Sequence, residues 1–345
     1  CAGNRGIAHH RASGGDAMTS KKKELFVDLN TIDPKEVEWL WEPFIPFSMI
    51  TIMEGDPGVG KSFLAMQLAA QISIGGELPE GQRLDRGRVL YLSAEDDAAY
   101  TIRPRIDAMG GDPSSIRVQG DFLSLDEKGL NALMREVRRK PPDLLILDPL
   151  FAYVPSGQDM YKPNVIRQLL SFLKDIAETG ETAVLIIRHL TKAKHDKAIY
   201  RGGGSMDVIG AARSAFLVCE HPNDSSTKLV VHIKHNIAKR GQTQSYEIYA
   251  DDGGMATLNW LGPSDITIDD LISSEGGKPQ MSALDEAIQF LRVFLKNGPE
   301  ATTKVEKEAA ARDISEKTLE RARRSLGVVS KKKGKSWGLS LPDEE

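Results

Sequence analysis

The chain has 345 residues, of which 40% are hydrophobic and 27% are charged, and its formal net charge is -4. This length allows one large domain and a smaller one, and the composition is ordinary for a globular protein. No apolar run is long enough to span a membrane. The only two cysteines, Cys1 and Cys219, exclude a disulfide framework and a cysteine-rich zinc site. We therefore expect a cytoplasmic protein with no membrane partner.

The first 17 residues show neither hydrophobic periodicity nor the apolar core of a signal peptide, and Met18 follows them. We expect residues 1–17 to be a disordered or non-native segment and the fold to begin at residue 18. His9 and His10 have no further candidate ligands at metal-binding spacing, so we do not expect them to bind a metal.

Residues 55–62 match the phosphate-binding pattern G-x-x-x-x-G-K-[ST], between a β-prone apolar run at 49–53 and helical spacing of leucines and isoleucines over 61–74. In this pattern backbone N–H groups surround phosphate oxygens, Lys61 reaches the outer phosphates and Ser62 binds Mg²⁺. The pattern predicts that the cofactors are ATP and Mg²⁺. The predicted nucleotide-binding residues are Gly55, Asp56, Pro57, Gly58, Val59, Gly60, Lys61, Ser62 and Phe63.

Two further apolar runs end in carboxylates. Residues 144–147 form a short run typical of a strand buried on both faces, and Asp148 follows it, where it can hold Mg²⁺. Residues 89–92 form a second such strand, followed by three consecutive acids that begin at Glu95. We predict that Glu95 is the general base that orients the attacking water, with Asp96 as the substitute.

A third apolar strand, 182–187, follows a predicted helix and ends next to His189. At the catalytic edge His189 would sense the γ-phosphate, although capping of the strand end is an equally good interpretation. The segment after His189 is basic and ends in the flexible glycines 202–204, which favours a grip on single-stranded DNA, with a solvated surface loop as the alternative. The basic residues of this segment are Lys192, Lys194, Lys197 and Arg201.

The chain resembles the RecA-like ATPase superfamily and, within it, the RepA-type replicative helicases of plasmids and phages. The resemblance extends over residues 36–262. It is carried by the stretches 39–46, 91–97, 144–148, 187–192 and 201–205.

This resemblance implies that the catalytic glutamate follows the second strand, which agrees with Glu95. It also implies a homo-oligomer, a hexameric ring, in which ATP lies between subunits and a neighbour's basic residue completes the site. The matching late strand covers residues 230–240. Lys234 is the first candidate for this residue, called the finger below, and Arg240 is the second.

The C-terminal part differs from the rest in composition. Residues 263–282 are rich in Gly, Pro, Ser and Asp and predict a linker. Residues 283–342 are locally basic and show three short helical patterns, the third with Ser315 as N-cap, followed by a basic turn at 331–335. This order predicts a winged helix-turn-helix domain that binds duplex DNA; packing on the protein's own ring or on a partner protein is the alternative.

The sequence therefore predicts an α/β protein, with a RecA-like P-loop NTPase core at 18–262 whose mostly parallel central sheet is flanked by helices. A small winged-helix domain follows. We expect a DNA-dependent ATPase, most simply a ring-forming replicative helicase of a plasmid, phage or mobile element. Two alternatives are an ATP-switched regulatory DNA-binding protein without unwinding activity and a RecA-like recombination or repair mediator.

Overall fold

The computed structural model describes residues 26–155, 163–190, 205–250, 254–275, 283–295, 298–310, 312, 314–333 and 336–341. The chain divides into two compact units between Ile272 and Ser273. The predicted N-terminal segment 1–17 lies outside the described residues.

The strands of the first unit, in chain order, are β1 (Trp39–Trp41), β2 (Ile45–Pro46), β3 (Ile50–Gly55), β4 (Glu77–Leu78), β5 (Gln82–Arg83), β6 (Val89–Ser93), β7 (Ile116–Val118), β8 (Leu144–Asp148), β9 (Ala183–His189), β10 (Ser214–His221), β11 (Asp224–His235), β12 (Thr243–Ala250) and β13 (Ala256–Ser264). Its helices are α1 (Lys61–Ile74), α2 (Arg103–Ala108), α3 (Glu127–Arg139), α4 (Pro163–Gly180), α5 (Ser205–Ala211) and α6 (Ile268–Glu275), the last of which crosses the unit boundary.

Within the described residues, nine strands form one central sheet in the order β13-β12-β11-β10-β3-β9-β8-β6-β7. The six strands β10, β3, β9, β8, β6 and β7 are parallel to one another. Strands β11, β12 and β13 extend the sheet from β10 in antiparallel fashion. Strands β3, β6 and β8 are buried along their whole length. Burial on both faces explains why these strands are nearly continuous apolar runs rather than alternating ones.

Helices cover both faces of the sheet. Helices α1 and α2 pack on one face, where Leu64, Leu68 and Ile106 join the strand side chains in one core. Helices α3, α4 and α5 pack on the other face around Leu173 and its neighbours. The predicted α/β class with a mostly parallel central sheet flanked by helices is confirmed. None of the helices in the described ranges is long and apolar enough to cross a membrane.

The predicted linker at 263–282 contains the boundary between the two units, and its first part is structured. Strand β13 continues to Ser264, and α6 follows, with Ile268 and Leu271 buried against β10 and β11. The composition of this segment favoured a linker, but its apolar residues have a partner surface on the sheet, and that burial decides the structure. Residues 276–282 of the predicted linker lie outside the described residues.

The second unit has its own hydrophobic core, which includes Phe290, Leu291, Leu319 and Leu339. Ser315 is the N-cap of its last helix, and its Oγ accepts a hydrogen bond from the Thr318 N–H, as the sequence predicted. The described elements of this unit are α7 (Ala283–Phe294), β14 (Glu300–Ala301), α8 (Thr302–Ala310), α9 (Glu316–Ser325), β15 (Val329–Lys333) and β16 (Ser336–Ser340). The three strands form a small antiparallel sheet in the order β14-β16-β15.

Candidate active site

The phosphate loop connects β3 to α1 at the carboxyl edge of the parallel strands. Gly58 and Gly60 have φ values of 83° and 95°, in the left-handed region that side chains rarely adopt. A Cβ at Gly60 would also lie 2.8 Å from Ile248 Cδ1 and 3.2 Å from the Tyr246 hydroxyl. The loop therefore needs glycine at both positions to bring its N–H groups and the N-terminus of α1 to one point.

Lys61, the first residue of α1, is 3% exposed. Its Nζ donates hydrogen bonds to the carbonyl oxygens of Gly55, at 3.0 Å, and Asp56, at 2.7 Å. Burial lowers the pKa of the Lys61 ammonium to about 8, although the charges of Asp148, Asp56 and Glu95 act to raise it. The predicted phosphate ligand thus lies close to both predicted carboxylates and is held by its own loop.

Asp148 ends β8 and is 2% exposed. One oxygen, Oδ2, accepts a hydrogen bond of 2.8 Å from the Tyr91 hydroxyl, and the carboxylate also accepts one from the Ser62 hydroxyl. Burial raises the pKa of Asp148, and these two hydrogen bonds oppose that shift. The other oxygen, Oδ1, is buried without a hydrogen-bond partner among the described residues.

These residues fit Mg²⁺. The two predicted metal ligands, Ser62 and Asp148, are in contact, and a buried carboxylate oxygen without a partner is a suitable ligand for a hard cation. Among the described residues no group of three or more His, Cys, Asp or Glu side chains could hold a metal ion. Mg²⁺ characteristically binds through one or two protein ligands, with water and nucleotide phosphates completing its shell.

Glu95 and His189 face each other across the ends of β6 and β9. Glu95 Oε1 lies 3.5 Å from His189 Nε2, and the two side chains are 56% and 34% exposed. The other ring nitrogen of His189, Nδ1, is buried and has no hydrogen-bond partner among the described residues. The predicted base is therefore open to water and adjacent to the predicted sensor.

The two acids after Glu95 have other partners. Asp96 Oδ1 lies 3.7 Å from Arg105 Nη1, and the guanidinium carbon of Arg105 lies 4.2 Å from the centre of the Phe63 ring. Asp97 accepts hydrogen bonds from two backbone N–H groups and caps the helical turn before α2. Because Asp96 is held by Arg105 and Asp97 is a cap, the geometry favours Glu95 for the role of base.

The two candidates for the finger differ in their surroundings. Lys234 Nζ donates hydrogen bonds to the carbonyl oxygens of Ile209, at 2.6 Å, and Gly210, at 2.9 Å, at the C-terminal end of α5. Burial, with a smaller contribution from Arg213, lowers the pKa of Lys234. Arg240 lies in the exposed segment between β11 and β12, with its Nε 3.4 Å from His235 Nε2.

Some residues of the site did not stand out in the sequence, and others lie outside the described residues. Tyr91 and Arg105 were missed, although a polar residue inside an apolar strand, such as Tyr91, is a usable signal. The buried pair formed by Glu54 and Arg188 was also missed. The predicted DNA-contacting residues Lys192, Lys194, Lys197 and Arg201 lie outside the described residues.

The AAA domain family matches residues 17–195, which is more than half of the chain. The chain belongs to this family. The match includes the phosphate loop, Glu95, Asp148 and His189, so the AAA domain contains all the catalytic candidates except the finger. AAA domains are ATPases that bind ATP with Mg²⁺, and the geometry of Lys61, Ser62 and Asp148 fits both cofactors.

The chain is also similar to several proteins named DNA repair protein RadA. That of Streptococcus pneumoniae is 29% identical over 150 residues, which is 43% of this chain and 31% of RadA. Those of Listeria monocytogenes and Mycobacterium tuberculosis are each 28% identical, over 43% and 41% of this chain and 29% and 27% of theirs. The chain spans about a third of the length of these relatives.

Two solved structures show weak similarity. The RadB recombinase has a TM-score of 0.44 and 15% identity, over 60% of this chain and 89% of its own. The second structure, an isolated ATPase domain, has a TM-score of 0.46 and 16% identity, over 63% of this chain and 85% of its own.

The pKa of Lys61 predicts a pH dependence of nucleotide binding. Phosphate binds the ammonium form and raises its pKa in the complex, so above the free-state value of about 8 binding must take up a proton. We expect the affinity for a non-hydrolysable ATP analogue to fall by up to about tenfold for each pH unit above that value. Titrations between about pH 7 and about pH 10 measure this, with Lys61→Met as a control whose residual affinity should not vary. A wild-type affinity that is constant over this range would contradict the assignment of Lys61.

Proposed function

We propose that this AAA domain protein is a DNA-dependent ATPase that works as a homo-oligomeric ring, and that it acts as a replicative DNA helicase. The observation that carries the proposal is the approach of Glu95 to His189. In this proposal Glu95 positions the attacking water and lies beside His189. The basic segment 192–201 begins three residues after His189. The proposed sensor His189 thus lies beside the proposed base in space and close to the proposed DNA-contacting segment in sequence.

The proposed roles follow from chemistry. Lys61 and the loop N–H groups bind the phosphates, and Ser62 and Asp148 hold Mg²⁺. Glu95 accepts a proton from the attacking water or orients it, because its exposed carboxylate lies at the same edge of the sheet. His189, beside Glu95 at that edge, senses the γ-phosphate.

Arg240 is the better candidate for the finger supplied by a neighbouring subunit. Lys234 is partly buried and bonded to two carbonyl groups of its own chain, so reaching a neighbour would leave the end of α5 without its cap. Arg240 is exposed and presents a permanently charged, planar guanidinium. Such a group stabilises the charge of the transferring phosphoryl group.

The second unit is proposed to be a winged helix-turn-helix that binds duplex DNA. Its described elements follow the order helix, strand, helix, helix and two strands, and α9 carries exposed Arg321 and Arg324. In this interpretation α9 lies in a groove of the DNA duplex, and the β15–β16 hairpin contacts phosphates of the DNA backbone.

A recombination or repair mediator is the second candidate, and the RadA relatives favour it, because their name assigns them to DNA repair. The match covers less than a third of those proteins' length. Unwinding of a forked duplex by the assembled protein separates this candidate from a helicase. ATP-switched DNA binding without unwinding is a further outcome that the next experiment distinguishes.

The proposal is tested by neutralising the basic segment. Replacing Lys192, Lys194 and Lys197 by Gln should abolish stimulation of hydrolysis by single-stranded DNA and leave the basal rate intact, because the phosphate site is unchanged. The matched control replaces three exposed lysines on or directly after helices α3 and α4, which are Lys128, Lys140 and Lys174. It should retain full stimulation.

Removing residues 283–345 should have a different effect. Duplex affinity and its salt dependence should fall, since each lost phosphate contact lowers the log–log salt slope by about one. Stimulation by single strands should remain. The helicase proposal would be contradicted if DNA did not stimulate the wild-type ATPase and if its DNA affinity resided only in residues 283–345. That result would favour the ATP-switched DNA-binding protein.

A further inference from the structure

Glu54 and Arg188 form a fully buried ion pair at the carboxyl ends of β3 and β9. Both side chains are 0% exposed, and the two residues are direct partners in the register of these parallel strands. They are 134 residues apart in the sequence. The contact therefore joins two distant segments at the carboxyl edge of the parallel strands, beside the phosphate loop.

The pair is unusual in its layer of the core. On this face of the sheet the preceding positions of β3 and β9 are Ile50, Ile52, Val184 and Ile186, all buried and apolar. A buried ion pair must overcome a large desolvation penalty, and well-packed apolar residues at the same positions are often as stable or more stable. Stability alone therefore does not explain two charges at these positions.

The backbone next to the pair touches the nucleotide site on both strands. Glu54 directly precedes Gly55, the first residue of the phosphate loop, and Arg188 directly precedes His189. The Leu190 N–H donates a hydrogen bond of 3.1 Å to the Gly55 carbonyl oxygen. The same oxygen accepts the 3.0 Å hydrogen bond from Lys61 Nζ. The Gly55 carbonyl oxygen thus contacts both the Lys61 side chain and the backbone directly after β9.

In the structure Lys61 bonds the loop carbonyls. An ammonium that turned to bound phosphates would leave the Gly55 carbonyl with only the Leu190 N–H of these two donors. Whether the end of β9 follows that change depends on how firmly β3 and β9 are joined beside it. The contact between Arg188 Nη2 and Glu54 Oε2 is a charge-assisted hydrogen bond, which is a strong and directional connection between two strands.

We propose that Glu54 and Arg188 are positioning residues that couple the phosphate loop to His189 and to the segment after β9. The pair holds the two strand ends in one register, so that the release of the Gly55 carbonyl by Lys61 is transmitted to His189 and Leu190. The link to DNA stimulation rests on the proposed function; the link between Lys61 and Leu190 does not.

The test replaces the pair by apolar residues of similar volume, Glu54→Leu with Arg188→Met. The double variant should keep a melting temperature close to that of the wild type and bind an ATP analogue with little change. Stimulation of kcat by single-stranded DNA should fall by about tenfold, the scale of a lost coupling between two sites. Each single variant should instead melt at a lower temperature, because it removes one member of the buried ion pair and keeps the other.

A second readout does not depend on DNA. Hydrogen exchange of the Leu190 amide should change when the ATP analogue binds to the wild type, and this response should be lost in the double variant. The matched control is Glu220→Gln with Lys228→Met, which removes the cross-strand pair of β10 and β11. It should retain both the DNA stimulation and the Leu190 response.

The outcomes are separable. A wild type that DNA does not stimulate would contradict the proposed function, and the Leu190 response would still test the coupling. A folded double variant with wild-type Leu190 response and wild-type stimulation would overturn the inference. If the double variant does not fold, Arg188→Lys decides: it keeps the buried charge but not the planar guanidinium that fixes the direction of the contact, and we expect it to lose most of the Leu190 response. A full response in that variant would equally overturn the inference.

Discussion

Glu95→Gln should bind ATP with nearly wild-type affinity and hydrolyse it at least about a hundredfold more slowly, the scale of a lost positioned base. The substitution keeps the size of the side chain and removes the carboxylate that faces His189 at 3.5 Å. Phosphate contacts are unchanged, because Lys61 and Ser62 are intact. Single-turnover hydrolysis and binding of a fluorescent ATP analogue measure the two effects separately.

Asp96→Asn is the matched control for Glu95→Gln. It removes the neighbouring carboxylate, which contacts Arg105 rather than the end of β9. We expect a much smaller loss of turnover in this variant. Comparable turnover in Glu95→Gln and the wild type, with a large loss in Asp96→Asn, would reassign the base to Asp96.

Arg240→Ala should lower turnover by about a thousandfold, the lower end of the range for a lost arginine finger. Because the proposed finger acts on a neighbour's nucleotide, Arg240→Ala and Lys61→Ala should each be inactive alone, and a mixture should regain activity. Random mixing pairs an intact phosphate loop with an intact finger at about a quarter of the interfaces. ATPase rates of the mixture, with mixed assembly verified by mass, give the result.

Lys234→Ala is the informative comparison for Arg240→Ala. Loss of its hydrogen bonds to the carbonyls of α5 should lower the melting temperature, and each mixed subunit that carries it should have the same defect in its own chain. Restoration of turnover by mixing Lys234→Ala with Lys61→Ala, without such restoration for Arg240→Ala, would return the finger to Lys234. Absence of recovery in both mixtures despite verified mixed assembly would contradict action between subunits.

Much of the core was predictable because the signals are local. The apolar runs that predicted strands at 49–53, 89–92 and 144–147 correspond to β3, β6 and β8. Parallel strands buried on both faces must be apolar throughout, and their carboxyl ends meet at one edge. For that reason the sequence also placed Glu95 and Asp148 at the nucleotide edge.

The predicted linker shows what local signals leave out: the unit boundary lies within it, but its first part forms regular structure. The segment is rich in Gly, Pro, Ser and Asp, a composition that favours a linker. Ile268 and Leu271 nevertheless pack against an apolar surface on β10 and β11. Burial of a few apolar side chains outweighs a weak local preference. Only the folded sheet provides that surface.

The sequence by itself therefore determined the α/β class, the phosphate loop and the edge at which the predicted catalytic carboxylates lie, because each depends on residues close together in the chain. The tertiary structure alone decided that Asp96 is held by Arg105, that Lys234 caps α5, and that Glu54 and Arg188 form a buried pair. Each of these is a contact between separate elements, and the free energy of a charged group depends on burial and on the partners that folding brings to it.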